Sequence, residues 1–215
     1  AEAFSSSTKG QNDDNLMLLG AGTEALFKNI DQTVVHYSYL SFFGRVDYSW
    51  KDKYFADFSV RNDASSRLGK DNRDATFYSG GLMWNAKAED FLKGIKEINA
   101  LRIKGSIGTT GNSSIGNYDH LKLIGTTNHK GEGGWYVQSP GNNKLGWETQ
   151  ILTNVGFDIE LLDCISFDMT YYHRKTKDML LNIPLPYTSS FSSQTQNLGA
   201  MTNSGIELSL NLDIF

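Results

Sequence analysis

The chain has 215 residues, of which 12% are aromatic, 21 are glycine and only 3 are proline. The aromatic content excludes a disordered chain, and a net charge of -4 without a cluster of Lys and Arg argues against nucleic-acid binding. A single cysteine, Cys164, excludes an internal disulfide framework and a Cys-rich zinc site.

Alternation of apolar and polar residues predicts seven β-strands. The clearest runs from Trp147 to Leu161, with apolar side chains or threonine at the odd positions and mostly polar side chains at the even ones. This period of two is typical of a strand with one apolar and one polar face. In chain order, the predicted strands cover residues 40–50, 54–63, 78–88, 101–109, 147–161, 165–174 and 206–214. A short helical turn is predicted at Glu89 to Glu97.

The connections between the predicted strands alternate between short and long. Lys51-Asp52-Lys53 and Leu161-Leu162-Asp163 are tight, whereas residues 62–76, 110–146 and 181–202 are long and polar. Most of the strands exceed ten residues, which suits a membrane-spanning strand of about 9–11 residues better than the usual 5–6 of a globular strand. Short turns at one end and long loops at the other predict an all-β fold, an antiparallel transmembrane β-barrel.

A soluble carbohydrate-binding β-sandwich is the alternative, because its strands alternate in the same way. Strand length and loop asymmetry favour the barrel, and no stretch of about 20 apolar residues predicts a transmembrane helix. Single-chain bacterial barrels have an even number of strands, at least eight, so about seven strands predict a segment of a larger barrel. Residues 1–34 are then expected to form an extracellular loop region, and residues 35–215 a partial barrel.

Five motifs follow one another in the second part of the chain. They are Arg61 to Gly69 (RNDASSRLG), Ser106 to Asn112 (SIGTTGN), Leu145 to Asp158 (LGWET, then NVGFD), Tyr171 to Leu180 (YYHRKTKDML) and Asn197 to Leu208 (NLGAMTNSGIEL). In this order they resemble the barrel of the SusC/RagA-like family of TonB-dependent outer-membrane transporters. Ala64 and Leu68 stand where the first motif of that family has Gly and Phe.

The resemblance implies a large plugged barrel, for which about 22 strands are typical, so that this chain is roughly a third of it. It also implies that the N-terminal plug, the segment that engages TonB and the remaining strands have no counterpart in this sequence. The implied function is import of oligosaccharides or peptides across the outer membrane of a Gram-negative bacterium. The implied partners are a SusD-like surface lipoprotein, the TonB complex through the N-terminal region, and membrane lipid.

Charged residues on or near the polar faces of the first two strands are predicted to line the lumen, where water can solvate them. They are Arg45, Asp47, Asp57, Arg61, Asp63 and Arg67. Arg61 and Asp63 are predicted to face Arg45 and Asp47 across the hairpin. Two interpretations remain open: contact with the plug or the substrate path, and a structural ladder of ion pairs, which is favoured.

Aromatic residues in the long loops are the predicted substrate contacts. Trp135 and Tyr136 follow Gly131-Glu132-Gly133-Gly134, whose glycines let the backbone approach a ligand while the rings stack on sugar or peptide faces. Tyr118, Tyr187 and Phe191 lie in other long loops. Packing of the loop tips on one another explains the same residues equally well.

No pattern in the chain indicates catalysis or a cofactor. The nucleophile motif Gly-Xaa-Ser-Xaa-Gly is absent, and the four histidines lack metal-ligand spacing. We therefore expect neither an enzyme, nor a cofactor, nor a metal site, and an all-β hydrolase is the least favoured function.

Overall fold

The computed structural model describes residues 2–7, 29–34, 36–129 and 132–213. The chain divides into two compact units, residues 1–37 and residues 38–215. In the first unit, β1 (Glu2–Ser7) pairs antiparallel with β2 (Asn29–Val34).

The second unit is built almost entirely of β-strands. They are β3 (Tyr39–Trp50), β4 (Tyr54–Ser65), β5 (Asp74–Asn85), β6 (Ile98–Asn112), β7 (Leu123–His129), β8 (Glu132–Ser139), β9 (Glu148–Leu161), β10 (Ile165–Lys177), β11 (Leu180–Pro184), β12 (Ser193–Asn197) and β13 (Ala200–Leu212). The only α-helix in the described ranges is the four-residue α1 (Asp90–Lys93), and 3-10 turns form at Lys70–Asn72, Ala86–Ala88 and Tyr187–Ser189. Within these ranges, no helix is long and apolar enough to span a bilayer.

The long strands form one antiparallel sheet of seven in the order β13-β10-β9-β6-β5-β4-β3. Each has 12 to 15 residues, so the seven predicted strands and their length are confirmed. The sequence did not predict the two-stranded hairpins β1–β2, β7–β8 and β11–β12. Their strands are short and carry many polar or small residues, as in SQTQN and NIDQTV, so no apolar alternation marks them.

The strand register places the predicted apolar sets on one face of the sheet. Val46 lies opposite Phe58, and Ile103 lies opposite Phe157. Phe157 lies in turn opposite Met169, which lies opposite Leu208. The sheet therefore has a continuous apolar face from β3 to β13 and a polar face on its other side.

On most strands the apolar side chains of this face lie toward the end of the sheet that carries the short turns, although β3 keeps Leu40 and Phe42 at the long-loop end. Toward the long-loop end, the same face becomes polar, with Asn62 opposite Thr76 and Ser204 opposite His173. Polar groups need water as a partner, so the apolar band marks the height at which the sheet can contact lipid.

The two short turns are tight reversals with left-handed backbone. Lys51 and Asp52 have φ of 53° and 54°, and Leu162 and Asp163 have φ of 55° and 59°. The amide of Lys53 donates to the Trp50 carbonyl at 3.1 Å. Positive φ at both central residues is the feature of the type I′ turn, whose twist matches that of the flanking strands.

The best-buried side chains lie at the long-loop end of the sheet. Leu68 and Leu145 are fully buried, together with Ser65. The amide of Gly69 donates to the Leu145 carbonyl at 2.8 Å, which fastens two long loops together. We call the segments 65–69, 113–121, 140–146 and 193–197 the loop cluster.

Candidate functional site

Charged side chains of β3 and β4 form ion pairs along each strand. Arg45 pairs with Asp47 at 2.8 Å, and Arg61 pairs with Asp63 at 2.8 Å. The predicted pairing across the hairpin is wrong, because the register sets Asp47 opposite Asp57, and Arg61 opposite Phe43. Residues two apart on a strand point to the same side, so each arginine reaches the carboxylate on its own strand.

A second charged group lies on the polar face of β6, β9 and β10. Arg102 contacts Asp158 and Glu160, each at 3.2 Å, and Lys104 contacts Asp168 and, at 3.9 Å, Asp158. The sequence predicted the polar character of these positions but not this cluster, because Arg102 and Asp158 are 56 positions apart and come together only through the β6–β9 register. Opposite charges placed across neighbouring strands stabilise a sheet and keep its polar face hydrated.

Arg67 lies beyond the end of β4, in the loop that follows it. Its Nε donates to Asn117 Oδ1 at 2.7 Å, and its guanidinium lies 5.7 Å from the ring centre of Tyr39. Its carbonyl lies 3.0 Å from Nδ1 of the buried His120. Arg67 follows the end of β4 and belongs to the loop cluster.

The sequence motifs converge on the loop cluster. Asn197 holds both polar groups of Gly146: it accepts from the amide at 2.7 Å and donates to the carbonyl at 2.9 Å. Asn142 donates through its side chain to the Thr195 carbonyl at 3.0 Å. The ring of Trp147 packs edge-on against Phe77 at 5.6 Å. The first, third and last motifs therefore join separate loops at one end of the sheet.

The segment around Trp135 is a β-hairpin, β7–β8, where the sequence predicted an irregular loop. Trp135 is 79% exposed. Tyr136 is next to it in a strand and therefore points to the opposite side of the hairpin. Its ring covers Gly125, where an added Cβ would lie 2.7 Å from the ring. The two aromatic residues consequently cannot present one joint stacking surface.

The other predicted aromatic residues are spread over the loops. Tyr187 is 99% exposed in a 3-10 turn between β11 and β12. Phe191 and Tyr118 are half-buried. Of the five, Trp135 and Tyr187 are the most exposed and the two that a ligand can reach most freely. Across the described ranges, no group of three His, Cys, Asp or Glu residues is placed to hold a metal ion.

A carboxylate at the short-turn end collects three donors. Glu89 accepts from Lys53 Nζ at 2.7 Å, from the Tyr54 hydroxyl at 2.7 Å and from Trp84 Nε1 at 3.3 Å. The bonds from Lys53 and Tyr54 are the main reason that the pKa of Glu89 falls from its ordinary 4.5 to about 2. Trp50 stacks on Tyr54 with ring centres 5.8 Å apart.

The low pKa of Glu89 predicts an acid-sensitive contribution to stability. Because the folded-state pKa lies below the ordinary value of 4.5, the ionised carboxylate stabilises the fold at higher pH, and this contribution is lost as the pH falls toward about 2. Thermal unfolding of the wild type and Glu89→Gln should differ by a constant amount above about pH 5 and converge below it. A difference that is independent of pH down to about 2 would contradict the ionised cluster.

Residues 5–215 match the family described as TonB dependent receptor-like, beta-barrel. The chain belongs to this family. As a TonB-dependent receptor-like barrel, it lies in the outer membrane of a Gram-negative bacterium, and the soluble β-sandwich alternative is wrong. The apolar face of its sheet is the one that can contact lipid, and the polar face is turned to the lumen.

Individual relatives of this TonB-dependent receptor-like barrel agree with the family. The chain is 38% identical over 179 residues to TonB-dependent receptor P3 of Formosa agariphila and 36% identical over 182 residues to TonB-dependent receptor SusC of Bacteroides thetaiotaomicron. Each alignment covers 80% of this chain and 18% of the relative. The chain thus spans less than a fifth of the length of these relatives.

Solved structures also match the sheet. The RagAB peptide transporter superposes with a TM-score of 0.93 at 41% identity, over 100% of this chain and 24% of that chain. The RagAB peptide importer in the open-open state gives a TM-score of 0.87 at 42% identity, over 97% of this chain and 23% of that chain. The predicted resemblance to the SusC/RagA-like family is confirmed, and these relatives are receptors and transporters.

Proposed function

We propose that this chain is part of a TonB-dependent importer that takes up oligosaccharides or peptides across the outer membrane. The observation that carries the proposal is the likeness of the whole chain to a peptide transporter, at a TM-score of 0.93 and 41% identity. The 36% identity to SusC, in an alignment that covers 80% of this chain, supports the same function. The importer works with a SusD-like surface lipoprotein and draws energy from the TonB complex, and it acts by binding and passage without catalysis or a cofactor.

The two groups of ion pairs on the polar face line the passage or contact the plug in this proposal. Asp63 supports it: its side chain is only 7% exposed, Oδ2 pairs with Arg61, and Oδ1 has no hydrogen-bond partner in the described part of the chain. A buried carboxylate oxygen of this kind needs a donor, which the plug or a polar substrate can supply.

We propose that the long-loop end is extracellular and the short-turn end periplasmic, with residues 1–34 in the extracellular region. The unequal lengths of the connections support this orientation, since the long loops of such barrels face outward and the short turns face the periplasm. The polar side chains that most strands carry toward the long-loop end of the lipid-side face agree with it. In a cysteine-free background of the full-length protein, Tyr187→Cys should react with a membrane-impermeant maleimide on whole cells, whereas Leu162→Cys should react only after the outer membrane is opened. The reverse order of labelling would invert the topology.

We propose that Trp135 contacts the substrate, because it is the more exposed of the two aromatic rings on β8. Tyr187 is a second contact on another hairpin, and Tyr136, Tyr118 and Phe191 support the loops around them. In the full-length transporter, Trp135→Ala should weaken binding of an oligosaccharide or peptide substrate by about 1 kcal/mol, roughly fivefold in Kd. Leu198→Ala, at a half-exposed loop position, is the matched control and should bind as the wild type does.

The same variant separates three outcomes. Weaker ligand binding with normal assembly supports the substrate contact. Normal ligand affinity with weaker binding of the lipoprotein would assign Trp135 to that partner and contradict the substrate role. Unchanged ligand affinity, uptake and partner binding would remove Trp135 from the functional surface.

A further inference from the structure

The connection between β5 and β6, residues 86–97, is attached to the apolar side of the sheet. Glu89 receives its hydrogen bonds from Tyr54 and Trp84, whose side chains belong to the apolar face. The hydrogen bonds of the Glu89 carboxylate hold residues 86–97 close to the apolar face. Residues 86–97 therefore leave the end of the sheet on its lipid side rather than across the lumen.

Apolar side chains of this connection point to the outside. Phe91, two positions after Glu89, is 69% exposed, and Ile95 is also exposed. The amide of Leu162 donates to the Glu97 carbonyl at 3.0 Å, which joins the connection to the neighbouring turn and its exposed Leu162 side chain. An aqueous surface offers these side chains no partner, whereas the lipid adjoining the apolar face does.

Lysines surround this apolar group. Lys87 turns inward and donates to the Leu92 and Ile95 carbonyls at 3.1 and 2.6 Å, which closes the short helix. Lys93 pairs with Asp90 at 2.7 Å, and Lys53 pairs with Glu89. Lys51 and Lys96 are exposed, and Lys51 lies 4.8 Å from the ring centre of Trp50. Apolar side chains that point into the bilayer and amines at the height of the lipid phosphates are the composition of an interfacial segment.

We propose that residues 86–97 form an interfacial anchor that rests in the phospholipid leaflet at the short-turn end of the barrel. Phe91 and Ile95 enter the boundary between headgroups and acyl chains, and Lys51 and Lys96 face the phosphates. The bilayer is the occupant because this surface continues the lipid-facing side of the sheet through Tyr54 and Trp84. The anchor fixes the height of the barrel in the membrane and is independent of what the protein transports.

Spin-label depth measurements test the anchor. Full-length protein in a cysteine-free background receives one label at Phe91→Cys and is reconstituted into phosphatidylethanolamine vesicles containing phosphatidylglycerol. Val155→Cys, in the middle of the apolar face, is the lipid reference, and Tyr187→Cys, at the other end, is the aqueous reference. At position 91, the ratio of collisions with oxygen to collisions with a water-soluble nickel complex should be several-fold higher than at 187 and lower than at 155.

A second variant connects the carboxylate to the anchor. Glu89→Ala in the Phe91→Cys protein should reduce that ratio toward the value at 187, because the connection loses its attachment to Tyr54 and Trp84. A ratio at 91 equal to that at 187 in the parent protein would overturn the anchor and leave the surface to water or a soluble protein. An unchanged ratio after Glu89→Ala would also overturn it in this form, because the attachment would then not set the depth.

Discussion

Val155→Arg is expected to reduce the stability of the membrane-inserted barrel by about 2–4 kcal/mol, whereas Asn154→Arg, one residue earlier, is expected to be tolerated. Val155 lies near the middle of β9 and is half exposed on the apolar face. Its neighbours across the strands are Gly105 and Tyr171, neither of which can pair with a guanidinium charge. Arginine near the midplane of a bilayer has no water and no counter-ion.

The two variants lie next to each other on the same strand and differ in the face of the sheet to which the side chain points. Asn154 points to the polar face and lines a water-accessible cavity of about 590 Å³ that Asp57 and Glu207 also line. An arginine there can reach both water and carboxylates. Urea-induced unfolding of the full-length protein in vesicles measures the free energy of unfolding of the two variants. Equal losses of stability at positions 154 and 155 would contradict the assignment of the faces.

Leu68→Ala is expected to loosen the loop cluster at a cost of about 2–5 kcal/mol, the range for removing a fully buried leucine side chain. The cavity it leaves cannot fill easily, since the loops around it are fastened by bonds such as Gly69 to Leu145 at 2.8 Å. The strands below make their own ladder hydrogen bonds and should remain paired. Exchange of the Gly69 amide hydrogen should therefore accelerate strongly while exchange in β9 stays slow.

Two further variants serve as controls for this result. Leu198→Ala, whose side chain is half exposed, should cost less than about 0.5 kcal/mol. Gly69→Ala should act like Leu68→Ala, because its Cβ would lie 1.9 Å from the Asn143 carbonyl oxygen and only backbone movement can relieve that contact. Unchanged exchange at residue 69 in Leu68→Ala would mean that the cluster does not depend on its buried leucine.

The seven long strands could be predicted from the sequence because each alternates an apolar lipid-facing side with a polar one. Their register could not, since a period of two leaves open which residues stand opposite each other. For this reason the expected pairing of Arg61 and Asp63 with Arg45 and Asp47 was wrong. The cluster around Arg102 was missed for the same reason.

The loops were the least predictable part of the candidate site. The alternation of charged residues on β4 gives no sign of the hydrogen bond by which Arg67 joins Asn117, 50 positions later in another loop. The sequence did not predict the β7–β8 hairpin that carries Trp135, because its glycines are equally typical of irregular loops. Long-range bonds between side chains and backbone decide such structure, and no local pattern encodes them.

The hydrogen bonds between the loops also have a thermodynamic consequence if, as proposed, the long-loop end is the extracellular entrance of an importer. Hydrogen bonds such as Asn197 to Gly146 and Asn142 to Thr195 restrict several segments at once, before any ligand arrives. The conformational entropy of these loops is lost during folding. A ligand that binds beside the loop cluster therefore meets loops that are already ordered. The affinity of such a ligand then depends on the contacts it makes, because little free energy is needed to immobilise the loops.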